Sequence, residues 1–360
     1  MSVLNWIFNL KETATVPSMD GALRPNQALD EAEMLATADA PDNLVLSEGR
    51  ILFSSGPAIL ALGEGDSEEI RRFETDILAM AVSPDAGLAV ALKDGGILIT
   101  GGLHDGVRID GVGPKALKAV TSLAFDGPDT LLVAIGSERH EVDDWPRDLL
   151  EGGCSGSVWQ VPLGGDSAQC IAGHLGYPSG VLADEGRVIV SEAWRHRLIG
   201  ISASAPNRVQ PVLDDLPGYP GRLTPCPGGG AWLSVFAPRN QLIEFVLRED
   251  AFRRQMMKTM DKEYWIAPTL RAGKSFKEPM QVGAVKTLGV HKPWAPTRSY
   301  GLAVRLGPDF TPAASLHSRA DGRRHGVTSC LEHRDGVIVT CRGDGVVIRA
   351  DGNEDTGRAA

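Results

Sequence analysis

Four consecutive polar residues, Glu138-Arg139-His140-Glu141, put a carboxylate, a guanidinium and an imidazole within one short stretch. An imidazole in that company could move a proton near neutral pH; the competing reading is an ordinary solvated loop. The remaining chemistry-bearing residues are dispersed. Glu192, Asp214 and Asp215 each sit near the end of an apolar run, with no spacing that brings any two together. The eight histidines lack Cys or His partners at zinc-ligand intervals. Five cysteines, with no CxxC pair and an odd count, suit a reducing compartment and predict a cytoplasmic protein. A turn at Arg334-Asp335 would set Cys330 opposite Val339, so no bridge to Cys341 is expected. GxSxG, HExxH, EF-hand and P-loop signatures are absent, and Gly228-Gly229-Gly230 leads into no helix that could cradle phosphate. Any site must therefore be assembled from residues far apart in sequence.

The elements that could assemble it are repeats. Gly176-Tyr177-Pro178 and Gly218-Tyr219-Pro220 each precede an apolar strand, a glycine turn, an alternating strand, a polar turn and a third strand (the last of these being RLIGI and QLIEFV). Four more copies open near Asn43, Ala79, Thr121 and Val327. With anchors at Ser179 and Gly221 the separations are 36, 42, 58, 42 and 106 residues. Three of these are close to the roughly 40 to 45 residues of a four-stranded blade, and the two long ones contain inserts. The expectation is all-β: a six-bladed propeller over residues 41–350, with a 1–40 N-terminal extension and a 351–360 tail; the alternative is a large sandwich or barrel.

The first insert, 138–153, interrupts the third unit. The second, 247–299, opens with apolar residues at Phe252, Met256, Met257, Met260 and Tyr264, the spacing of one helix face. It is expected to cover the propeller mouth as a lid, or else to pack on its side. Residues 1–17 read as a short amphipathic element without a basic leader or cleavage site. No apolar run is long enough to cross a bilayer, and a net charge of −10 argues against a nucleic-acid partner.

The segments FDGPDTLLVAIGS, LLEGGCSGSVWQVPL, LGYPSGVLADEGRVIVSEAWRHRLIGI, LDDLPGYPGRLTPCPGGGAWLSV and VTSCLEHRDGVIVTC, in that order, resemble the strictosidine synthase-like family over about residues 41–350. The resemblance implies a six-bladed propeller related to gluconolactonases and paraoxonases, a small-molecule site at the central mouth and a helical insert before the last blade. It also implies where a divalent cation is held in related lactonases, by an acid, two asparagines and an aspartate. Here those positions fall at Asp42 (beside Asn43), Thr121, Ser179 and Gly221. Two hydroxyls and a glycine are poor ligands for a hard cation, so no metal or other cofactor is expected. Arg222, next to the vacated aspartate position, is expected to take an anionic group or to pair with Asp214 or Asp215 at the rim.

In the plant alkaloid-forming branch a glutamate of the last blade is catalytic; the matching position here is Thr328, so that condensation is not supported. His325, three residues earlier, is the nearest imidazole to the mouth, unless it is a surface residue following Arg323-Arg324. The candidate catalytic residues are therefore His325, His140 and Thr328. The candidate ligand contacts are Arg222, Ser179, Thr121, Tyr219 and Asp42. The expected function is metal-independent processing of a small molecule, as a lactone or ester hydrolase or a ring-opening or ring-forming enzyme, the alternative being a non-catalytic ligand-binding or scaffold propeller.

Overall fold

The computed structural model describes residues 16–63, 65–202, 205–271, 278, 297–321, 323–334 and 336–351. Six four-stranded antiparallel sheets follow one another along the chain, each ordered from an innermost to an outermost strand. The innermost strands are Pro41–Ser47, Ile77–Val82, Val120–Phe125, Pro178–Asp184, Gly218–Pro225 and Val327–His333. Every anchor read from the sequence lies on one of them, so the repeated strand-and-turn template located all six blades. Side chains from adjacent blades fill the space between sheets. At the junction of the first and last blades, for example, Phe53 packs with Leu331, Ile338 and Val347 and is fully buried.

Two features depart from the sequence expectation. The outer strand of the sixth blade is Glu33–Thr37, which pairs antiparallel with Val346–Asp351. A segment assigned to an extension is thus part of the propeller: the last unit supplies three strands, and the N-terminal one completes the ladder. In the fifth blade QLIEFV is a helix, Gln241–Val246, and not the third strand. Pro238 is the last residue of the preceding strand, and the Asn240 side chain accepts from the Leu242 N–H at 2.9 Å, a side-chain cap of the kind that starts a helix. The third strand, Leu302–Leu306, comes only after the insert. The insert therefore lies within blade five, not between it and the last blade.

Strand direction decides what can reach the central channel. If the innermost strand runs away from one end, the second returns to it, and the loops between strands two and three open at that same end, as do the links from one blade to the next. The inserts of blades three and five are both such loops, and so is Arg342, just past the strand Gly336–Cys341. Helix Asp250–Thr259 lies in the predicted helical segment, but Met256 is buried with Leu150, Val246 and Trp265, against the helix Trp145–Leu150 of the other insert. The apolar face thus joins the two inserts and does not itself line the mouth. Residues 1–15 and 352–360, including most of the proposed amphipathic element and tail, lie outside the described residues. Among the described residues no helix is long and apolar enough to cross a membrane.

Candidate functional site

All six innermost strands shift register near their starts, between Asp42 and Val45, Ile77 and Ala79, Val120 and Ser122, Pro178 and Gly180, Pro220 and Leu223, and Val327 and Ser329. A bulge places an extra residue in the strand and re-aims its side chain. The residues inside these shifts are the repeat anchors Asn43, Thr121, Ser179 and Gly221 or neighbours of anchors, Leu78, Arg222 and Thr328. The floor of a cavity of about 80 Å³ is formed there by Asp42, Thr121, Ser179, Gly221, Arg222 and Thr328. Arg342 joins them from its loop. Val142, Trp145, Tyr177, Phe236 and Leu270 form an apolar wall. Two of these come from the blade-three insert and Leu270 from the blade-five insert.

The electrostatic centre is Asp42. Its Oδ1 accepts from Arg222 Nη1 at 2.6 Å and from the Asn43 N–H at 2.8 Å, and Arg342 Nη1 lies 3.3 Å from Oδ2. Burial pushes this carboxyl up, but Arg222, Arg342 and the Asn43 N–H outweigh burial and hold it below the usual carboxylate range. Arg222 also donates through Nη2 to the Leu78 carbonyl at 2.9 Å and through Nη1 to that of Thr328 at 3.4 Å. Its expected partner, Asp214 or Asp215, is elsewhere: Asp215 pairs with Arg239 at 2.6 Å.

The hydroxyls form staples between blades. Thr121 Oγ1 donates to the Pro178 carbonyl at 2.5 Å, and Ser179 Oγ to that of Pro220 at 2.5 Å. Ser191 Oγ donates to Gly221 O at 2.5 Å and Ser234 Oγ to Thr328 O at 3.1 Å. A cation ligand set does not fit here. Of the four carried-over positions only Asp42 bears a carboxylate, both of its oxygens face guanidiniums, and the two hydroxyls are directed at peptide carbonyls. A Cβ on Gly221 would come within 2.5 Å of Ser234 Oγ, so the missing aspartate could not be accommodated without displacement.

Neither histidine candidate lies on the cavity wall. His325 is buried, its Nε2 donating to the Arg319 carbonyl at 2.9 Å and its Nδ1 accepting from Ser299 Oγ at 2.8 Å. Burial lowers its pKa, and the neutral ring is a structural link below the blade-six loop. His140 bonds Glu151 at 2.9 Å within its own insert. Tyr219 is fully buried one layer behind the cavity, against Trp194, His196 and Phe236. The equivalent tyrosine of the first tripeptide, Tyr177, is the one on the wall, stacked on Trp194 with centroids 4.4 Å apart. Thr328, Thr121, Ser179, Arg222 and Asp42 do converge. Sequence reasoning missed Arg342, Trp145, Tyr177, Phe236 and Leu270; the duplicated Gly-Tyr-Pro could have flagged Tyr177, but nothing marked Leu270.

No family model matches the chain. The adipocyte plasma membrane-associated protein of Rattus norvegicus is 22% identical over 289 residues, 71% of this chain and 75% of that protein. The solved gluconolactonase of Xanthomonas campestris superposes with a TM-score of 0.57 at 14% identity, over 94% of this chain and 97% of that one. The chain is a six-bladed β-propeller similar to these proteins. A second solved structure with a provisional gluconolactonase name aligns with a TM-score of 0.54 at 12% identity, over 89% of this propeller and 91% of its own chain. At these identities the solved structures establish the fold of the chain.

Proposed function

We propose that the propeller binds a small organic molecule in its central cavity and hydrolyses it as a lactone or ester without a metal ion. The observation that carries this reading is one carboxylate held between two guanidiniums at the bulged ends of the inner strands, facing an apolar wall. That floor carries one negative and two positive charges. A fixed donor of this kind, here Arg342, the less engaged of the two guanidiniums, stabilises the oxyanion formed when water adds to a carbonyl. Asp42, the carboxylate on the cavity wall among the described residues, takes the water proton, and the same proton passes to the leaving alkoxide as the ring or ester opens. A carboxyl with a lowered pKa is a weak base, so modest turnover is expected.

The neighbours named as gluconolactonases support the reaction class. The test is a panel of γ- and δ-lactones and phenyl acetate followed in a pH-indicator assay. Turnover is expected to be unchanged by a chelator and to be lost in Asp42→Asn. The melting temperature should likewise stay put on chelation, since a cation bound only by the folded protein would raise it. A chelator-sensitive rate or melting point would instead restore a metal-dependent lactonase. A second reading, a binding propeller without turnover, is favoured by the engagement of Asp42 with Arg222, Arg342 and Asn43; ligand binding with no hydrolysis across the panel would select it.

A further inference from the structure

The two cavity arginines are not equivalent. Arg222 is 17% exposed, and both its Nη atoms are committed, to Asp42, Leu78 and Thr328. It ties blade five to blades one, two and six, and so works as a structural cation. Arg342 is 31% exposed and holds Asp42 only at 3.3 Å. Its Nη2 has one acidic neighbour among the described residues, Asp143 at 4.0 Å, which is outside hydrogen-bond reach. Asp143 is itself paired with Lys93 at 2.5 Å. On the cavity floor one carboxylate, Asp42, faces two guanidiniums, and Arg342 is the more exposed of the two; Lys93 beyond it is compensated by Asp143, Asp76 and Glu141. The rings of Trp145, Tyr177 and Phe236 line the same cavity.

We propose that Arg342 is the specificity-determining residue of the cavity and that it selects ligands with a carboxylate head and a compact aromatic or apolar body. The anion pairs with Arg342 Nη2, while Arg222 stays bound to Asp42. This overturns the sequence expectation that Arg222 receives the anion. The inference rests on the small-molecule reading of the cavity and deepens it, because a carboxylate is the group that lactone or ester hydrolysis releases.

The experiment is calorimetric titration with phenylacetate and with its neutral isostere phenylacetamide. A hydrogen bond to a charged group is worth enough to change affinity by about tenfold or more. Wild-type protein is expected to bind phenylacetate about tenfold more tightly than the amide. Arg342→Gln should erase that difference, while Arg342→Lys, which keeps the charge but not the planar fork, should retain part of it. Equal wild-type affinities for the two probes, or a preference that survives in Arg342→Gln, overturns the role of Arg342 and leaves the cavity as a neutral-ligand site. If Arg342→Gln does not fold, the wild-type ratio and Arg342→Lys decide. Lactone turnover without phenylacetate binding defeats only the Arg342 inference. Absence of turnover with a carboxylate preference defeats only the hydrolase reading.

Discussion

Asp42→Asn should lower stability by about 3 kcal/mol, because it leaves the Arg222 and Arg342 guanidiniums facing each other with no carboxylate between them. The partial exposure of both arginines puts the value at the lower end for a broken buried pair. For a chain of this length the melting temperature should fall by about 4 °C. The pH dependence has a definite sign. A carboxyl whose folded pKa lies below its unfolded value contributes stability above the unfolded value, near pH 4, and loses it as pH falls through the folded one. Wild-type protein should thus lose its advantage over Asp42→Asn only below about pH 4. The double variant Asp42→Asn with Arg222→Gln should recover part of the loss, the coupling expected of neighbours. Equal stability of wild type and Asp42→Asn at pH 7 would show that the ion pair is not the clamp described.

Gly180→Ala should cost about 2 to 3 kcal/mol, the upper part of the range for overpacking. A Cβ at Gly180 would lie 2.4 Å from the Gly221 carbonyl and 3.0 Å from the Arg222 Cα, both main-chain atoms of the next blade that no side-chain rotation can move. Blades four and five would have to part, and the bond from Ser191 Oγ to Gly221 O would go with them. Gly228→Ala, in a turn with nothing within 4 Å of the added carbon, is the control and should be close to neutral. Chemical denaturation of the two variants side by side tests the argument; equal midpoints would refute it.

The blades were legible because a unit of short apolar runs and glycine turns repeats along the chain; a period of two appears in strands such as Ile97–Thr100, while the inner Val327–His333 and Gly336–Cys341 are buried almost throughout. What the pattern could not resolve was local competition. QLIEFV has the apolar content of a strand, but Asn240 caps it as a helix, and a short apolar run carries no length by which to choose. The site was half legible. Anchors near strand starts gave Thr121 and Ser179, and the family resemblance added Asp42, Arg222 and Thr328; a bulge near the start of each inner strand turns these sequence positions into geometry. His325 and His140 misled because ring chemistry says nothing about partners, and the Arg319 carbonyl and Glu151 claim them. Arg342 and Leu270 belong to loops whose approach to the channel depends on the whole ring. Gly343, for instance, must lack a side chain because the Leu270 carbonyl would lie 2.0 Å from its Cβ.

The pairing of Glu33 with Arg349 joins residues 316 positions apart. A ribosome releases the first of these long before the second exists, so the nascent chain carries an unpartnered strand until the rest of the ring has been made. Blades one to five can form from contiguous sequence as they emerge, but the ring locks only after Val346–Asp351 has left the exit tunnel. Closure is then the step with the greatest loop entropy and the slowest expected rate. Until it occurs, the growing chain exposes open sheet edges, the surfaces on which β proteins aggregate, so the yield of folded protein should depend more on how fast synthesis finishes than on the stability of any one blade.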